Sequence, residues 1–520
     1  MGFHEVKREQ VEVFSVSKVH SDILNYDYPK NLPENLILPI KELSKQNGAE
    51  VKLYFPVPSK KIKEWREFNL SEDFDSMIKA FENILKLFEA VEATGYKIFC
   101  FDMKALYFDD ELNPYILTYF PLIGNNDEID ISKFEMPIYI NSRPLRFSDN
   151  NSRVLAEIFA NLKYRDEYKS KEPRDRRRFV EESLTNERLF DFKNWFEKSF
   201  SNRYDIKVCK SKFLSSVARY KERWKQSSPE VKVRYRTGAH SIYGTGKVNE
   251  DDDFKEEEQV NQDAYLVKRL GNSRIFLAVM DGVSTSNYGD GNIASNLVKK
   301  LLLEEVDALK DSEINYEVAK QFYERFIEKA NNTIIKEALI IDQTASPDGL
   351  MSTTFVSAIL DNDMVYLCSV GDSPALLLTK DEIVRINVKY NVGFEKLVLG
   401  RNVSGDPNSL TQVIGKARKE GDKLVSDNIE YQFMVFKLLP DETLVLGSDG
   451  IIEFTVGAHE SEKIENFRKI YTESYEEAKG KVKATAQRIL AKIDQNIAGD
   501  NLTIVIAKPE RNDLKGGDER

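Results

Sequence analysis

The chain has only three cysteines and four histidines in 520 residues. Cys100, Cys209 and Cys368 are far apart and odd in number. No disulfide framework follows from them, and a reducing compartment is the default. None opens a Cys-x5-Arg loop, because Leu106, Ser215 and Pro374 stand where the arginine would be. A phosphatase with a cysteine nucleophile is therefore disfavoured. No apolar run approaches the roughly 18 residues of a membrane span. The opening MGFHEVKREQ has no signal-peptide pattern, and Val6 stands where a myristoylation signal needs Ser or Thr. Basic excess is lacking too: the net charge is −11. That argues against a nucleic-acid surface or a polybasic anchor. The densest basic cluster, Arg174 to Arg178, runs into FVEESL and reads as a solvated helix face. A soluble cytoplasmic protein with neither nucleic-acid nor membrane partners is expected.

What is present suits packed cores, with 41% hydrophobic and 11% aromatic residues. The length implies about two to four domains at roughly 100–200 residues each. In the first half, apolar residues at Phe74, Met77, Ile78, Phe81, Ile84, Leu85, Phe88 and Val91 predict a helix over 73–93, stopped by Gly95. Residues 172–227 read as charged and helical. Residues 228–260 read as a polar linker ending in the acidic run NEDDDFKEEE. Beyond 260, apolar strands are predicted at 275–280, 353–360, 364–370, 375–378, 430–438, 443–447 and 502–507. Helices are predicted near 291–305, 316–340 and 463–497. Strand runs with helices grouped between them fit a sheet-on-sheet core flanked by helices. The tail 509–520 reads as disordered.

Four aspartates lie at the ends of these apolar runs. IFLAVM leads into Asp281-Gly282, VYLCSV into Gly371-Asp372, and TLVLGS into Asp449-Gly450; Gly499-Asp500-Asn501 opens LTIVIA. Strands of one core would bring these carboxylates close, where they repel one another and titrate upward. Hard divalent cations would neutralise them. An oxygen-only donor set without Cys or His favours Mg²⁺ or Mn²⁺ over zinc.

Asn261-Gln262-Asp263-Ala264, AVMDGVS, Ser352-Thr353-Thr354, Val370-Gly371-Asp372-Ser373, Ser448-Asp449-Gly450 and Asp500-Asn501 follow one another in the order of a known motif series. Over about 235–508 the chain resembles the metal-dependent protein phosphatases of the 2C type. The resemblance implies an α+β fold, an αββα sandwich, with a two-metal site at one end. It implies that Asp281 bridges two Mg²⁺ or Mn²⁺ ions, that the Gly282 carbonyl completes the second, and that Asp449 and Asp500 hold the first. Asp372, with Asp449, would hold a third, weaker ion found in some relatives. Asp263 would orient a metal-bound water, so that Asp263, Asp281 and Asp449 carry the catalysis. The implied reaction is in-line attack of an activated water on a phosphoester. Ser352, Thr353 and Thr354 read as strand-entry residues near the site, not as nucleophiles.

The chain departs from the family pattern in several places. Gln262 replaces a metal-associated Glu, Val283-Ser284-Thr285 replaces a frequent Gly pair, and no His follows Gly282. Glu258 stands where relatives place a phosphate-clamping Arg, leaving Lys255 or an arginine elsewhere as its replacement. The acidic run would repel a phosphorylated substrate, which points to a restricted or regulated enzyme. The segment VLGRNVSGDPNSLTQVIG takes the place of the family's flap, and reads equally as a substrate-selecting loop or an ordinary one.

Residues 1–227 resemble a degenerate protein kinase-like domain. The helix at 73–93 followed by GYKIFCFDMK is similar to a kinase catalytic loop, with Asp102 and Lys104 at its spacing. LYFPVPSKKIKEWREFN resembles a hinge and the helix after it. SDNNSRVLAEIFANL, from Ser148-Asp149, resembles a buried kinase helix. Lys18 would be the ATP-gripping lysine, yet no glycine-rich loop precedes it. Tyr107 replaces the magnesium-binding Asn, and LTYF stands in place of Asp-Phe-Gly. Two polar residues alone do not transfer phosphate. The expectation is a Ser/Thr protein phosphatase acting on a phosphorylated protein, with a pseudokinase domain that binds a partner protein or a nucleotide. The alternative is a catalytically weak pseudophosphatase and pseudokinase scaffold, and for the first half alone the alternative is an unrelated α+β module.

Overall fold

The computed structural model describes residues 11–16, 29–38, 40–46, 50–56, 58, 60–98, 103–118, 122–124, 151–201, 203–224, 233–247, 260–271, 273–284 and 286–511. The chain divides into two units: Met1–Glu181 with Asp191–Ala218, and Glu182–Phe190 with Arg219–Arg520.

In the first unit, the Asp73 carboxylate accepts from the Ser76 amide at 3.0 Å and starts helix α1 (Phe74–Ala93). This satisfies one of the N–H groups that a helix start leaves orphaned. The apolar face read from the sequence is the buried one, from Met77 to Val91. Gly95 follows at φ +90°, open to glycine without strain. Strands β1 (Val11–Val16), β3 (Ile40–Gln46) and β4 (Glu50–Pro56) form one sheet, and β2 (Leu36–Ile37), β5 (Lys63–Glu64), β7 (Leu106–Phe108) and β8 (Pro114–Leu117) another. Strand β6 (Tyr96–Lys97) pairs with β9 (Ile123–Gly124). Helices α2 (Ser152–Ser170) and α4 (Lys193–Phe200) belong to this unit, whereas α3 (Arg176–Asn186) and α5 (Ile206–Arg223) straddle the division. Phe81, Phe159, Trp195 and Phe213 interlock with centroids 4.8–5.4 Å apart, although Phe159 and Phe213 stand 6.2 Å apart.

Two expectations for this half need correcting. After the hinge-like stretch the chain makes only a short 3₁₀ turn, Trp65–Glu67, because the residues beyond it turn again before α1 starts. The Arg174–Arg178 cluster does start a helix, but not a fully solvated face. Arg176 is buried over the Tyr168 ring and donates to the Lys171 carbonyl at 3.1 Å. Arg177 is held between Glu181 and Glu197. Lys18, Cys100, Asp102, Ser148 and Asp149 lie outside the described residues.

The second unit is built on period-two burial. One sheet runs β11-β12-β13-β14-β19: β11 (Ala264–Arg269), β12 (Arg274–Met280), β13 (Phe355–Asp361), β14 (Met364–Val370) and β19 (Gln432–Lys437). The other runs β10-β21-β20-β15-β16: β10 (Val233–Ile242), β15 (Ala375–Leu378), β16 (Ile383–Arg385), β20 (Thr443–Gly447) and β21 (Leu502–Arg511). Ile275, Leu277 and Val279 of β12 share one core with Leu444 and Leu446 of β20 and Val505 of β21, so the two sheets pack face to face. The alternate residues Phe276, Ala278 and Met280 face a second core with helices α6 (Gly291–Glu305) and α7 (Tyr316–Ile341). Val445, Ile504 and Ile506 face a third with α10 (Glu460–Glu477) and α11 (Val482–Asp494). The layers are helices, sheet, sheet, helices. Helix α8 (Val392–Leu397), the hairpin β17 (Ala417–Glu420) with β18 (Lys423–Ser426), and the short α9 (Gly450–Glu453) complete the elements used below.

Three further readings change. Strand β21 runs to Arg511, so residues 509–511 of the tail expected to be disordered are paired with β10. The polar stretch 228–260 contains β10, paired along its whole length with β21. The helix expected over 463–497 is two, broken where Lys479 and Gly480 turn to positive φ. No helix among the described residues is long and apolar enough to cross a membrane.

Candidate metal-binding active site

Strand direction collects the aspartates at one edge. Ala264 of β11 pairs with Met280 of β12, so Asp263 just before and Asp281 just after are neighbours. Strands β12, β13 and β14 are successively antiparallel. β12 and β14 therefore run the same way, and Asp372 follows β14 at the edge where Asp281 follows β12. In the other sheet, Gly447 of β20 pairs with Ile504 of β21. Asp449 leaves that sheet where Asp500 and Asn501 enter it. Asp263, Asp372, Asp449 and Asp500 all act electrostatically on Asp281, which places the two sets of strand ends opposite each other.

The backbone at Asp281 is fixed by the segment Ser352–Thr354. The Asp281 carbonyl accepts from the Thr354 amide at 2.9 Å and the Thr353 hydroxyl at 2.8 Å. The Thr354 hydroxyl accepts from the Asp281 amide at 3.2 Å and bonds Ser373 at 2.7 Å. These hydroxyls hold the backbone at Asp281. Gly282 is pressed against the start of α6: a Cβ there would lie 2.4 Å from the Gly291 carbonyl oxygen. Asp449 opens α9, its carbonyl accepting from Ile452 and Glu453. Arg385 donates to the Asp372 carbonyl.

The electrostatics are those of crowded carboxylates. Burial first, then the charges of Asp263, Asp449, Asp500 and Asp372, push Asp281 well above the usual carboxylate range. Burial, with Asp372, Asp500, Glu453 and Asp263, pushes Asp449 up to about 8. Asp263 rises to about 6, raised by burial and held back by the Thr503 and Ser448 hydroxyls. Burial also raises Asp372, against the opposing pull of Arg385 and Lys389. Asp281, Asp372, Asp449 and Asp500 keep partial solvent exposure, so the protein packs densely around a site that still opens outward.

The donor set fits a hard cation. Every candidate ligand atom is oxygen, from Asp281, the Gly282 carbonyl, Asp449, Asp500 and Asp372. Asp263 is 8% exposed with no hydrogen-bond partner at Oδ2, and Asn501 is 2% exposed with none at Oδ1 or Nδ2. Orphaned buried polar atoms cost about 1–3 kcal/mol each and call for a polar occupant beside them. Among the described residues, no three His, Cys, Asp or Glu side chains close into a ready-made cage.

Gln262 donates to Asp290 at 3.2 Å, and its carbonyl accepts from Ser295 at 2.6 Å, tying it to the start of α6. Lys255, Glu258 and Thr285 lie outside the described residues. The sequence reading missed Arg385 and Lys389, which come from and follow the edge strand β16. Their only signal was basic residues in an apolar stretch downstream of Asp372.

The sequence profile of the family described as protein phosphatase 2C matches residues 255–491. The C-terminal part of the chain is a protein phosphatase 2C-type domain. A Mycoplasma genitalium protein assigned as a protein phosphatase is 26% identical over 259 residues, covering 48% of this chain and 90% of the relative. The serine/threonine phosphatase stp of Listeria innocua is 25% identical over 245 residues, 46% of this chain and 85% of the relative. Among solved structures, the catalytic domain of serine/threonine protein phosphatase PstP, in complex with two manganese ions, aligns at 18% identity and a TM-score of 0.38, over 54% of this chain and 99% of that one. The 2C-type match takes in Asp263, Asp281, Asp372 and Asp449 and ends before Asp500.

Proposed function

We propose that the chain is a Mg²⁺- or Mn²⁺-dependent serine/threonine protein phosphatase whose substrate is a phosphorylated protein. The observation that carries this reading is the convergence of Asp263, Asp281, Asp372, Asp449 and Asp500 at one edge of two packed sheets. Asp281, the Gly282 carbonyl, Asp449 and Asp500 hold two ions, and Asp372 with Asp449 takes a third, weaker one. Bound there, the ions lower the pKa of water and neutralise charge on a phosphoryl group. Asp263 Oδ2, buried and with no hydrogen-bond partner, would accept a hydrogen bond from water at the site and orient it. Thr353 and Thr354 keep Asp281 in place while its carboxylate is loaded. No covalent phospho-enzyme is required.

The test is p-nitrophenyl phosphate hydrolysis by the full chain with Mn²⁺, Mg²⁺ or EDTA. Metal-dependent turnover that disappears in Asp449→Asn supports the reading. Metal binding by calorimetry without turnover would move it to an enzyme awaiting an activator, and no metal binding would sink it. A scaffold is the second reading, favoured by Gln262 at a position where a carboxylate would be expected.

The first half acts, in this proposal, as a kinase-like domain of roughly 1–227 that regulates or targets the phosphatase by binding a partner protein or a nucleotide. Its support is the order of its sequence motifs. Tyr107, in place of the magnesium-binding Asn, is buried and offers no carboxamide oxygen, which disfavours phosphoryl transfer. Incorporation of labelled phosphate from ATP, abolished by Asp102→Asn, would overturn that part. A cytoplasmic location completes the proposal.

A further inference from the structure

The segment 398–415, which takes the flap's place in the chain, ends at Gly415, and a buried side chain of α7 grips that end. Asn331, in the middle of α7, is 1% exposed. Its Oδ1 accepts from the Gly415 amide at 2.7 Å, and its Nδ2 donates to the Lys416 carbonyl at 2.8 Å and to Ser426 Oγ at 2.6 Å. The three partners lie at the end of this segment, just after it, and in the β17–β18 hairpin that follows. Beside Gly415, Ile414 exchanges two hydrogen bonds with Thr353, each 2.9 Å. On its other side Thr353 bridges Gly282 and donates its hydroxyl to the Asp281 carbonyl. Gly415 itself sits at φ +114°, and a Cβ there would lie 2.5 Å from the Met351 carbonyl oxygen, so the root lies hard against the Met351–Thr354 segment.

We propose that Asn331 is a positioning residue for the Asp281–Gly282 backbone, acting through Gly415, Ile414 and Thr353. The geometry is a three-layer ladder, Gly282 to Thr353 to Ile414, with Asn331 closing its open side. An amide is suited to this task because one side chain offers both an acceptor and two donors. The same ladder joins the 398–415 segment to the Asp281–Gly282 backbone, so a change in one shifts the other. The catalytic part of this inference rests on the phosphatase reading above; the ladder itself does not.

The experiment uses the full chain and two substitutions that attack the joint from opposite sides, Asn331→Ala and Gly415→Ala. Hydrogen exchange is followed at the Val283 and Thr354 amides, which bond the Ser352 and Asp281 carbonyls. Mn²⁺ binding is titrated by calorimetry, and kcat and KM are measured on p-nitrophenyl phosphate. The expected result is at least tenfold faster exchange at both amides, weaker Mn²⁺ binding by a similar factor, and a fall in kcat. Asn331→Ala combined with Thr353→Val should be non-additive in Mn²⁺ affinity, as expected for residues acting in series. Unchanged exchange and Mn²⁺ affinity in folded variants that have merely lost thermal stability would overturn the proposal. Should Asn331→Ala not fold, Asn331→Asp, which keeps an oxygen acceptor for the Gly415 amide and loses both Nδ2 donors, decides by the same readouts. A wild-type chain that hydrolyses nothing would fail the phosphatase reading, while exchange and metal affinity would still judge the ladder.

Discussion

Asp449 sits where burial and three neighbouring carboxylates, Asp372, Asp500 and Asp263, meet Glu453, and its carboxyl rises to about 8. An unfolded Asp titrates near 3.9. Between about pH 4 and 8 the metal-free folded state therefore binds more protons than the unfolded one. Stability then falls as pH rises through that window, the opposite of a salt-bridged carboxylate. Asp281 and Asp263 shift the same way and add to the slope. In EDTA, the melting temperature should fall from pH 5.5 to pH 8; excess Mn²⁺ should flatten the slope, and Asp449→Asn should reduce it. Calorimetric scans at several pH values check this, and a melting temperature that climbs over the same range in EDTA would contradict it. Asp263 is tested separately. As a residue that orients rather than ligates, its change to Asn should cost about 10–100-fold in turnover or metal affinity. Steady-state kinetics at saturating Mn²⁺ separate that from the complete loss expected of Asp449→Asn.

At the scale of elements, the edge strand β10 carries a demand its sequence does not advertise. A Cβ on Gly238 would lie 2.5 Å from the carbonyl carbon and oxygen of Val482, at the start of α11. Backbone atoms cannot step aside as a flexible side chain can. Gly238→Ala should cost about 1–3 kcal/mol, the usual range for overpacking, read as a lower urea midpoint at unchanged m-value. The same strand shows where sequence reading ran out. VRYRTGAHSI alternates, but its outward residues are charged or polar because it lies at a sheet edge, and it read as linker. Strands β12, β14, β20 and β21 are apolar on both faces, since helices cover one side and the partner sheet the other, and they were legible at once. So were the aspartates that end them. The supports of those aspartates were not: Asn331, Arg385 and Lys389 reach the site from elements with no sequence proximity to it. Gly480 did signal the break between α10 and α11, but the apolar spacing on either side masked it.

At the scale of the whole molecule, the 2C-type unit includes chain that lies well before the residues its family profile matches. Glu182–Phe190 and Arg219–Trp224 pack with it. Arg223 and Glu442 side chains are 1% and 3% exposed and pair in two bonds, 2.6 and 2.9 Å. The Arg223 guanidinium also lies over the Phe190 and Phe436 rings and donates to the Lys437 carbonyl. Glu442 in turn accepts from the Leu439 amide, in the turn that leads into β20 and so to Asp449. Removing one partner of a buried pair leaves an uncompensated charge and costs about 3–5 kcal/mol, whereas replacing both by apolar residues is often neutral. Arg219 also donates to Glu442 at 3.0 Å and partly compensates it, so Arg223→Met in the full chain should lower stability by about the lower end of that range in urea denaturation, and adding Glu442→Leu should recover most of it. A fragment beginning at residue 228 lacks Arg223, Phe190 and Trp224 together, so it should carry a deficit at least as large. Glu442→Leu in that fragment should restore part of the lost stability. Only the difference in turnover that survives this repair belongs to the first unit; a 228–520 fragment as stable as the full chain without the repair would show that the Arg223–Glu442 pair contributes little.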